Sequence, residues 1–337
     1  VKLDQVELIV VRLPLVRPFV TANGSTAERD VLLVHVRADD TDGWGECGAE
    51  TRASYWWETV ESARRVLPLI SRGEPVDGHP MAHAAFEMAM LDAELRVKGR
   101  SLAAHLGAVR DRVVATATAG FEDDVDAFVE AGYRSIKVKV APGRLGAVRG
   151  GGVTVQVDAN GAYADEPERV HELDDLGLLC IEQPLAADDL AGHAALARSL
   201  GTTICLDESV TDLDALDRAI SHGAGGAATL KAARLGGIAA ALLAHDRCVA
   251  AGWPAKVGGL LETGIGRAAA LAVAGLPGFV WPADLSASDR YWREDLTEPF
   301  VLDENGCLAI PSGPGLGVTV RSEVVDAVTV WREVVAL

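Results

Sequence analysis

The chain has 337 residues, enough for a barrel of about 250 residues with a smaller second domain beside it. Its 49 acidic against 31 basic residues give a formal net charge of −18, which repels polyanions and argues against nucleic acid or an anionic membrane as a partner. Cys47, Cys180, Cys205, Cys248 and Cys307 show no metal-ligand spacing, and several lie in strand-like runs, so a reducing, cytoplasmic setting is expected.

The first residues begin an alternating strand instead of a long apolar core, so no secretory leader is expected there. Residues 5–16 and 31–37, rich in Val, Ile and Leu, predict strands of an antiparallel sheet, joined through a polar loop at 21–26 that reads as a hairpin connection. Gly-Trp-Gly-Glu (43–46) leads to Ser-Tyr-Trp-Trp (54–57), where Tyr55, Trp56 and Trp57 either line an apolar pocket or pack at the start of a helix. Apolar spacing over 83–97 predicts a mostly buried helix on which a small domain docks against the remainder; Asp92 and Glu94 within it are given no catalytic role.

From residue 113 onward short apolar runs alternate with helical patterns, beginning with a helix at 122–131. Five of the runs, at 135–140, 153–160, 179–184, 203–209 and 228–232, carry charged residues at or near their C-terminal ends. Asp158, Glu182, Asp207 and Lys231 follow one another at 24, 25 and 24 residues, the length of one strand, one helix and two loops. Such units build a parallel sheet covered on both faces, and eight of them close into a barrel whose strand ends converge on one rim. Three carboxylates on that rim repel one another unless a cation lies among them, and a hard divalent ion such as Mg2+, with Mn2+ as the substitute, suits oxygen ligands. Lys137 and Lys139 alternate with apolar residues and so share the interior face, with Lys231 roughly across the barrel. Mutual repulsion and a metal would lower the lysine pKa values towards those of a general base, placing two bases about a metal-held carboxylate.

Around this core, Asn160 suits either a hydrogen bond to a metal ligand or a turn after the strand, and Glu208 alternates to the face opposite Asp207. Arg234, an ordinary surface residue by type, would add positive field that favours neutral Lys231. Only residues 141–152 separate two strands, so that Lys139 and Asp158 lie 19 residues apart; a crossover helix is degraded there or residues are missing from the chain. Gly258 and Gly259 would let a bulky substrate approach the backbone, with Glu262 following. The apolar tract 268–283 is broken by Gly275, Pro277 and Gly278 into a helix and a strand, too short for a membrane span. The eighth strand, 279–284, ends near Ser286 and Ser288, and residues 299–320 predict strands returning to the small domain.

Lys-Val-Lys (137–139), Asp158 with Asn160, Ile-Glu-Gln-Pro (181–184), Leu-Asp-Glu-Ser (206–209) and Lys231 together resemble the enolase superfamily, muconate-lactonising subgroup. Gly-Trp-Gly-Glu-Cys (43–47), Met-Leu-Asp-Ala-Glu-Leu-Arg (90–96), Glu-Thr-Gly-Ile-Gly-Arg (262–267), Ser-Ala-Ser-Asp-Arg (286–290) and Gly-Pro-Gly-Leu-Gly-Val (313–318) add a likeness to o-succinylbenzoate synthases, including those that also racemise N-acylamino acids.

This resemblance implies an α/β fold, a modified TIM barrel of the (β/α)7β type with an α+β capping domain. Residues 1–108 would form the cap, 109–294 the barrel and 295–337 the return to the cap. It implies metal ligands Asp158, Glu182 and Asp207, catalytic Lys139, Lys231 and Lys137, and supporting roles for Asn160, Glu208, Arg234, Gly258, Gly259, Glu262 and Ser286. Glu208 is expected to bond a lysine, and the loop at 21–26 to close over the substrate. Lys256 departs from the family pattern, which is uncharged there; it either reaches an acidic substrate tail or snorkels outward, the second being preferred. The activity implied first is o-succinylbenzoate synthesis, a dehydration in menaquinone formation. N-succinyl- or N-acylamino acid racemisation, or another cycloisomerase or epimerase reaction, is the alternative. A non-catalytic barrel that binds a metal or an acid is the reading outside the enzyme class. A small-molecule carboxylate is the expected partner, and a homo-oligomer the expected assembly.

Overall fold

A computed structural model describes residues 1–21, 24–53, 55–144 and 152–337, so parts of the 21–26, 54–57 and 141–152 segments lie outside the described residues. Strands β1 (Leu3–Thr21), β2 (Gly24–Ala38) and β3 (Thr41–Cys47) form an antiparallel meander. Alternate residues of β1 and β2 supply two cores. Val6, Leu8, Leu32 and Val34 pack with helices α1 (Val60–Ser71) and α2 (Pro80–Val97), while Ile9, Val11, Val31 and Leu33 join the core of the barrel. The sheet is therefore a partition between two apolar layers, which is why both strands read as nearly unbroken hydrophobic runs.

Helix α1 starts at Thr59, whose hydroxyl accepts from the Ser62 amide while Ser62 Oγ accepts from the Thr59 amide. Helix α2 lies directly on β3. A Cβ at Gly43 would stand 2.2 Å from Ala89 O and one at Gly45 1.9 Å from Ala85 O, so glycine in the Gly-Trp-Gly motif sets the helix–strand distance. Asp92 in α2 is fully buried; its carboxylate accepts from the amides of Trp44 and Leu316 and from Arg96, tying cap helix, cap strand and C-terminal segment together.

The barrel follows helix α3 (Leu102–Leu106) and strand β4 (Arg112–Val114). Its members, in chain order, are β5 (Thr116–Ala119), α4 (Val125–Glu130), β6 (Ser135–Lys139), β7 (Thr154–Asp158), β8 (Ile181–Glu182), α5 (Leu190–Ser199), β9 (Ile204–Leu206), α6 (Leu213–His222), β10 (Ala227–Leu230), α7 (Ala232–Leu235), α8 (Ile238–Ala251), β11 (Ala255–Val257) and α9 (Gly264–Ala274). The strands β5 to β11 are parallel and in sequential order. Parallel bridges Ala255–Phe279 and Ala115–Ala283 insert the eighth segment and close the ring. This is the expected barrel with its antiparallel cap. Between β7 and β8 the covering element is a 3-10 stretch, Pro167–Leu176, in place of an α-helix.

The C-terminal expectation needs correction. Residues 299–320 contribute one short strand, β12 (Cys307–Ala309), and it pairs with β4 instead of the cap. Pro311, Gly313, Pro314 and Gly315 break the backbone too often for a longer ladder there. The return to the cap is made further on, by helix α10 (Ser322–Val328) and strand β13 (Thr329–Val335), which runs antiparallel to β1. Among the described residues no helix is long and apolar enough to cross a membrane.

Candidate active site

Parallel register places the charged strand ends at one level. Lys139 of β6 pairs with Asp158 of β7, Asp158 pairs with Glu182 of β8, and one layer deeper Lys137 pairs with Gln156. Asp207 follows β9 directly and Lys231 follows β10. Because β6 and β10 are four strands apart in a ring of eight, Lys139 and Lys231 lie on opposite walls. Both line a cavity of 860 Å3 between barrel and cap, together with Lys137, Asp158, Asn160 and Asp207.

Within it every expected acid holds at least one cation. Lys139 Nζ donates to Asp158 Oδ2 at 2.7 Å and to Asn160 Oδ1 at 2.5 Å. Lys137 Nζ donates to Asp284 Oδ2 at 2.7 Å and to Glu182 at 3.3 and 3.4 Å, and lies 3.2 Å from Asp158. Lys231 Nζ donates to Asp207 Oδ2 and to the Tyr55 hydroxyl, at 2.7 and 2.6 Å. Arg234 donates to that hydroxyl and to Asp207 O, each at 2.6 Å.

For Lys137 and Lys231 these pairs reverse the expected direction of the shift. Burial works against the charge on Lys137, but Asp284, Glu182 and Asp158 outweigh it and hold the ammonium well above its ordinary pKa. Burial likewise opposes the charge on Lys231, and Asp207 with Tyr55 overcomes it. Asp207 is correspondingly held far below the usual carboxylate range: burial would raise it, and Lys231 and Arg234 prevail. Asp158 is lowered in the same way by Lys139 and Lys137 against burial.

No group of three acidic, histidine or cysteine side chains among the described residues is arranged as it stands to hold a metal, since ammonium groups lie against the acids. The donor set nonetheless suits a hard divalent cation. Asp158, Glu182 and Asp207 are buried oxygen donors from three neighbouring strands, and Asp207 Oδ1, 2.7 Å from Arg234, accepts no hydrogen bond.

Comparison with known proteins supplies the family. Residues 120–324 match the family described as enolase C-terminal domain-like. The chain belongs to the enolase superfamily. It is 43% identical over 366 residues to an N-succinylamino acid racemase of Amycolatopsis sp, covering 98% of this chain and 99% of that one. It is 35% identical over 355 residues to an o-succinylbenzoate synthase of Bacillus subtilis, covering 96% of each. A solved structure of an enolase-superfamily member from Listeria innocua superposes with a TM-score of 0.92 at 32% identity, over 99% of both chains. Enzymatic activity on a carboxylate, by the proton-abstraction chemistry of the superfamily, follows from this membership.

The enolase-superfamily site also revises several outer assignments. Glu208 accepts from Asn160 Nδ2 at 2.8 Å instead of bonding a lysine; burial, with Asp207 and Asp158 nearby, pushes its carboxyl up to about 7. Arg234 is fully buried, not at the surface; its charge does work to lower the Lys231 pKa, as expected, but Asp207 and Tyr55 outweigh burial and Arg234 together. Tyr55 meets Lys231 through its hydroxyl, whereas Trp57 is exposed, so the aromatic cluster does not act as one apolar wall. Glu262 accepts from the Leu260 amide and Ser286 donates to Thr116 O; both line the cavity, as does Gly259.

Gly258 serves Lys231 instead of a bulky substrate. A Cβ there would meet Thr229 Cγ2 at 2.5 Å and the Lys231 stem at 2.6 Å. Gly258→Ala is therefore expected to displace the Lys231 ammonium and lower kcat by roughly ten- to a hundredfold, a misplacement effect of the kind that leaves folding intact. Steady-state kinetics beside circular dichroism checks this.

Residues not assigned from sequence complete the frame. Gln183, fully buried with a positive φ of 40°, accepts from the amides of Asp207 and Ser209 and donates to Ser209 Oγ and Leu185 O, fixing the Asp207 loop. Its amide nitrogen also meets His193 Nε2, which accepts from the Leu185 amide, while His193 Nδ1 donates to Asp189 O. These contacts require the neutral ring, and burial lowers its pKa below 6.5. The unfolded chain then binds a proton more readily, so His193 leaves stability intact above about pH 6.5 and subtracts from it as pH falls. His193→Gln should flatten that decline in urea melts taken between pH 5 and 8. Glu46, in the motif read only as family signature, accepts from Thr263 N, Thr263 Oγ1 and Gly266 N at 3.0, 2.6 and 2.9 Å, fastening the cap to the barrel.

Proposed function

We propose that the chain racemises an N-succinyl- or related N-acylamino acid by abstracting the proton alpha to the carboxylate on one face and returning a proton on the other. The observation that carries this reading is the placement of Lys139 and Lys231 on opposite walls of one cavity, each anchored to a different acid. Neutral Lys139 takes the alpha proton onto Nζ, leaving a dianionic enediolate. The Lys137 ammonium, among the buried residues, stabilises the developing charge. Lys231, held protonated by Asp207 in spite of burial, delivers its proton to the opposite face, and the two lysines exchange roles in the reverse direction. Asp158, Glu182 and Asp207 would hold a divalent cation, Mg2+ with Mn2+ as substitute, which would supply positive charge to the substrate carboxylate. The greater identity to the Amycolatopsis racemase supports racemisation over dehydration.

o-Succinylbenzoate synthesis is the second reading, favoured by the Bacillus subtilis relative of that name. There Lys139 alone would remove the proton and protonate the departing hydroxyl, with Lys231 acting only through its charge. Polarimetry on a panel of N-succinyl and N-acetyl amino acids with Mg2+, beside an absorbance assay of the dehydration, separates the two. Racemisation at a turnover well above dehydration is the expected result; dehydration without racemisation would replace this reading with the second.

A further inference from the structure

Lys256 was expected to snorkel outward, yet its side chain is fully buried inside the barrel. Its register explains this. Lys256 of β11 pairs with Thr229 of β10, two residues before the level of Lys231 and Gly258, so it points inward one layer beneath the rim. Its ammonium donates to Glu182 Oε2 at 2.6 Å, to Asp284 Oδ1 at 3.3 Å and to Gln156 Oε1. Gln156 in turn donates to Asp284 Oδ1 at 3.3 Å, and Lys137 meets the same two acids from the other side. The inner layer thus holds two ammonium and two carboxylate groups in mutual contact, with Lys137 also 3.2 Å from Asp158 on the rim.

Glu182 belongs both to this layer and to the three acids assigned to the metal. We propose that Lys256 is a positioning residue that weakens divalent-cation binding, because it occupies one oxygen of Glu182 with a fixed positive charge, and that the same contact lets the barrel fold without metal. The inference rests on the proposed metal site. It concerns how much of Glu182 remains for a cation, and leaves the chemistry at the two rim lysines as derived above. A lysine in hydrogen-bond contact with a ligand carboxylate raises the electrostatic work of bringing a second positive charge to it. Removing it would leave that oxygen with only the longer 3.4 Å contact to Lys137, and Glu182 and Asp284 with one ammonium between them, an excess of buried negative charge that added metal compensates.

The test is calorimetric titration of Mn2+ and Mg2+ into chelator-stripped protein, with thermal melts in the presence and absence of metal. Lys256→Met is expected to tighten Mn2+ binding by about tenfold or more. Its metal-free midpoint should fall by roughly 5–15 °C and recover on adding metal. Should that variant not fold, Lys256→Gln, which keeps a donor for Gln156 or Glu182 without the charge, should show the same two changes in smaller measure. Unchanged or weakened metal binding in a folded variant would overturn the role of Lys256 while leaving the metal site intact. Failure of the wild-type protein to bind either ion would instead remove the metal site itself, and the inference with it.

Discussion

Replacing Lys231 by alanine is expected to abolish interconversion of N-acylamino acid enantiomers, with kcat falling about 10^2- to 10^4-fold, the range of a positioned acid–base group. The loss should be one-sided at the level of proton exchange. The enantiomer whose alpha hydrogen faces Lys139 should still exchange it with solvent, while the mirror substrate should not. Lys139→Ala should give the complementary pattern, since the two side chains stand on opposite walls of the cavity. Full racemase activity in Lys231→Ala would refute the two-base assignment, and exchange of both enantiomers in either variant would place the base elsewhere.

Asp207→Asn should have the second large effect, and on two observables. Asp207 is the buried counter-ion of Lys231 and lies 2.7 Å from Arg234, so the neutral amide leaves two cations close together without their carboxylate. Removing one partner from a buried charge cluster costs about 3–5 kcal/mol, to be read from urea denaturation of the metal-free protein. Activity should fall by about three orders of magnitude or more, because an assigned metal ligand and the group that holds Lys231 protonated are lost together. Wild-type stability in this variant would mean that the ion pairs contribute little to holding the barrel. Wild-type activity would remove Asp207 from the site.

How much of this was legible in the sequence depends on what kind of signal each residue leaves. Asp158, Glu182, Asp207 and Lys231 stand out because a charge closing an apolar run recurs at one spacing, and a parallel barrel turns that spacing into a ring. Lys256, Gln156 and Asp284 leave a weaker trace. They lie beneath the rim or on a segment joined only by isolated bridges, and the charges of Lys256 and Asp284 are met by partners 28 to 147 residues away along the chain. Counting register two residues back from Gly258 would have turned Lys256 inward; reading its residue type alone turned it outward.

The lysine shifts show a second limit. The composition of the rim predicts repulsion among like charges, whereas each of the three lysines has an acid within hydrogen-bond reach. Side-chain pairing of this kind is set by barrel closure, which local pattern does not encode. The cap was legible as an antiparallel sheet because β-rich runs announce it. Its C-terminal strand was not, because the pairing of β13 with β1 joins residues at opposite ends of the chain.

Deuterium exchange measured by proton NMR tests the central claim most directly. With Mg2+ or Mn2+ in deuterated buffer, both enantiomers of an N-succinylamino acid should lose the alpha-proton signal as the racemate forms. If neither enantiomer of any N-acylamino acid gains deuterium, and the synthase substrate is not dehydrated either, then proton abstraction by Lys139 and Lys231 is not what this barrel does.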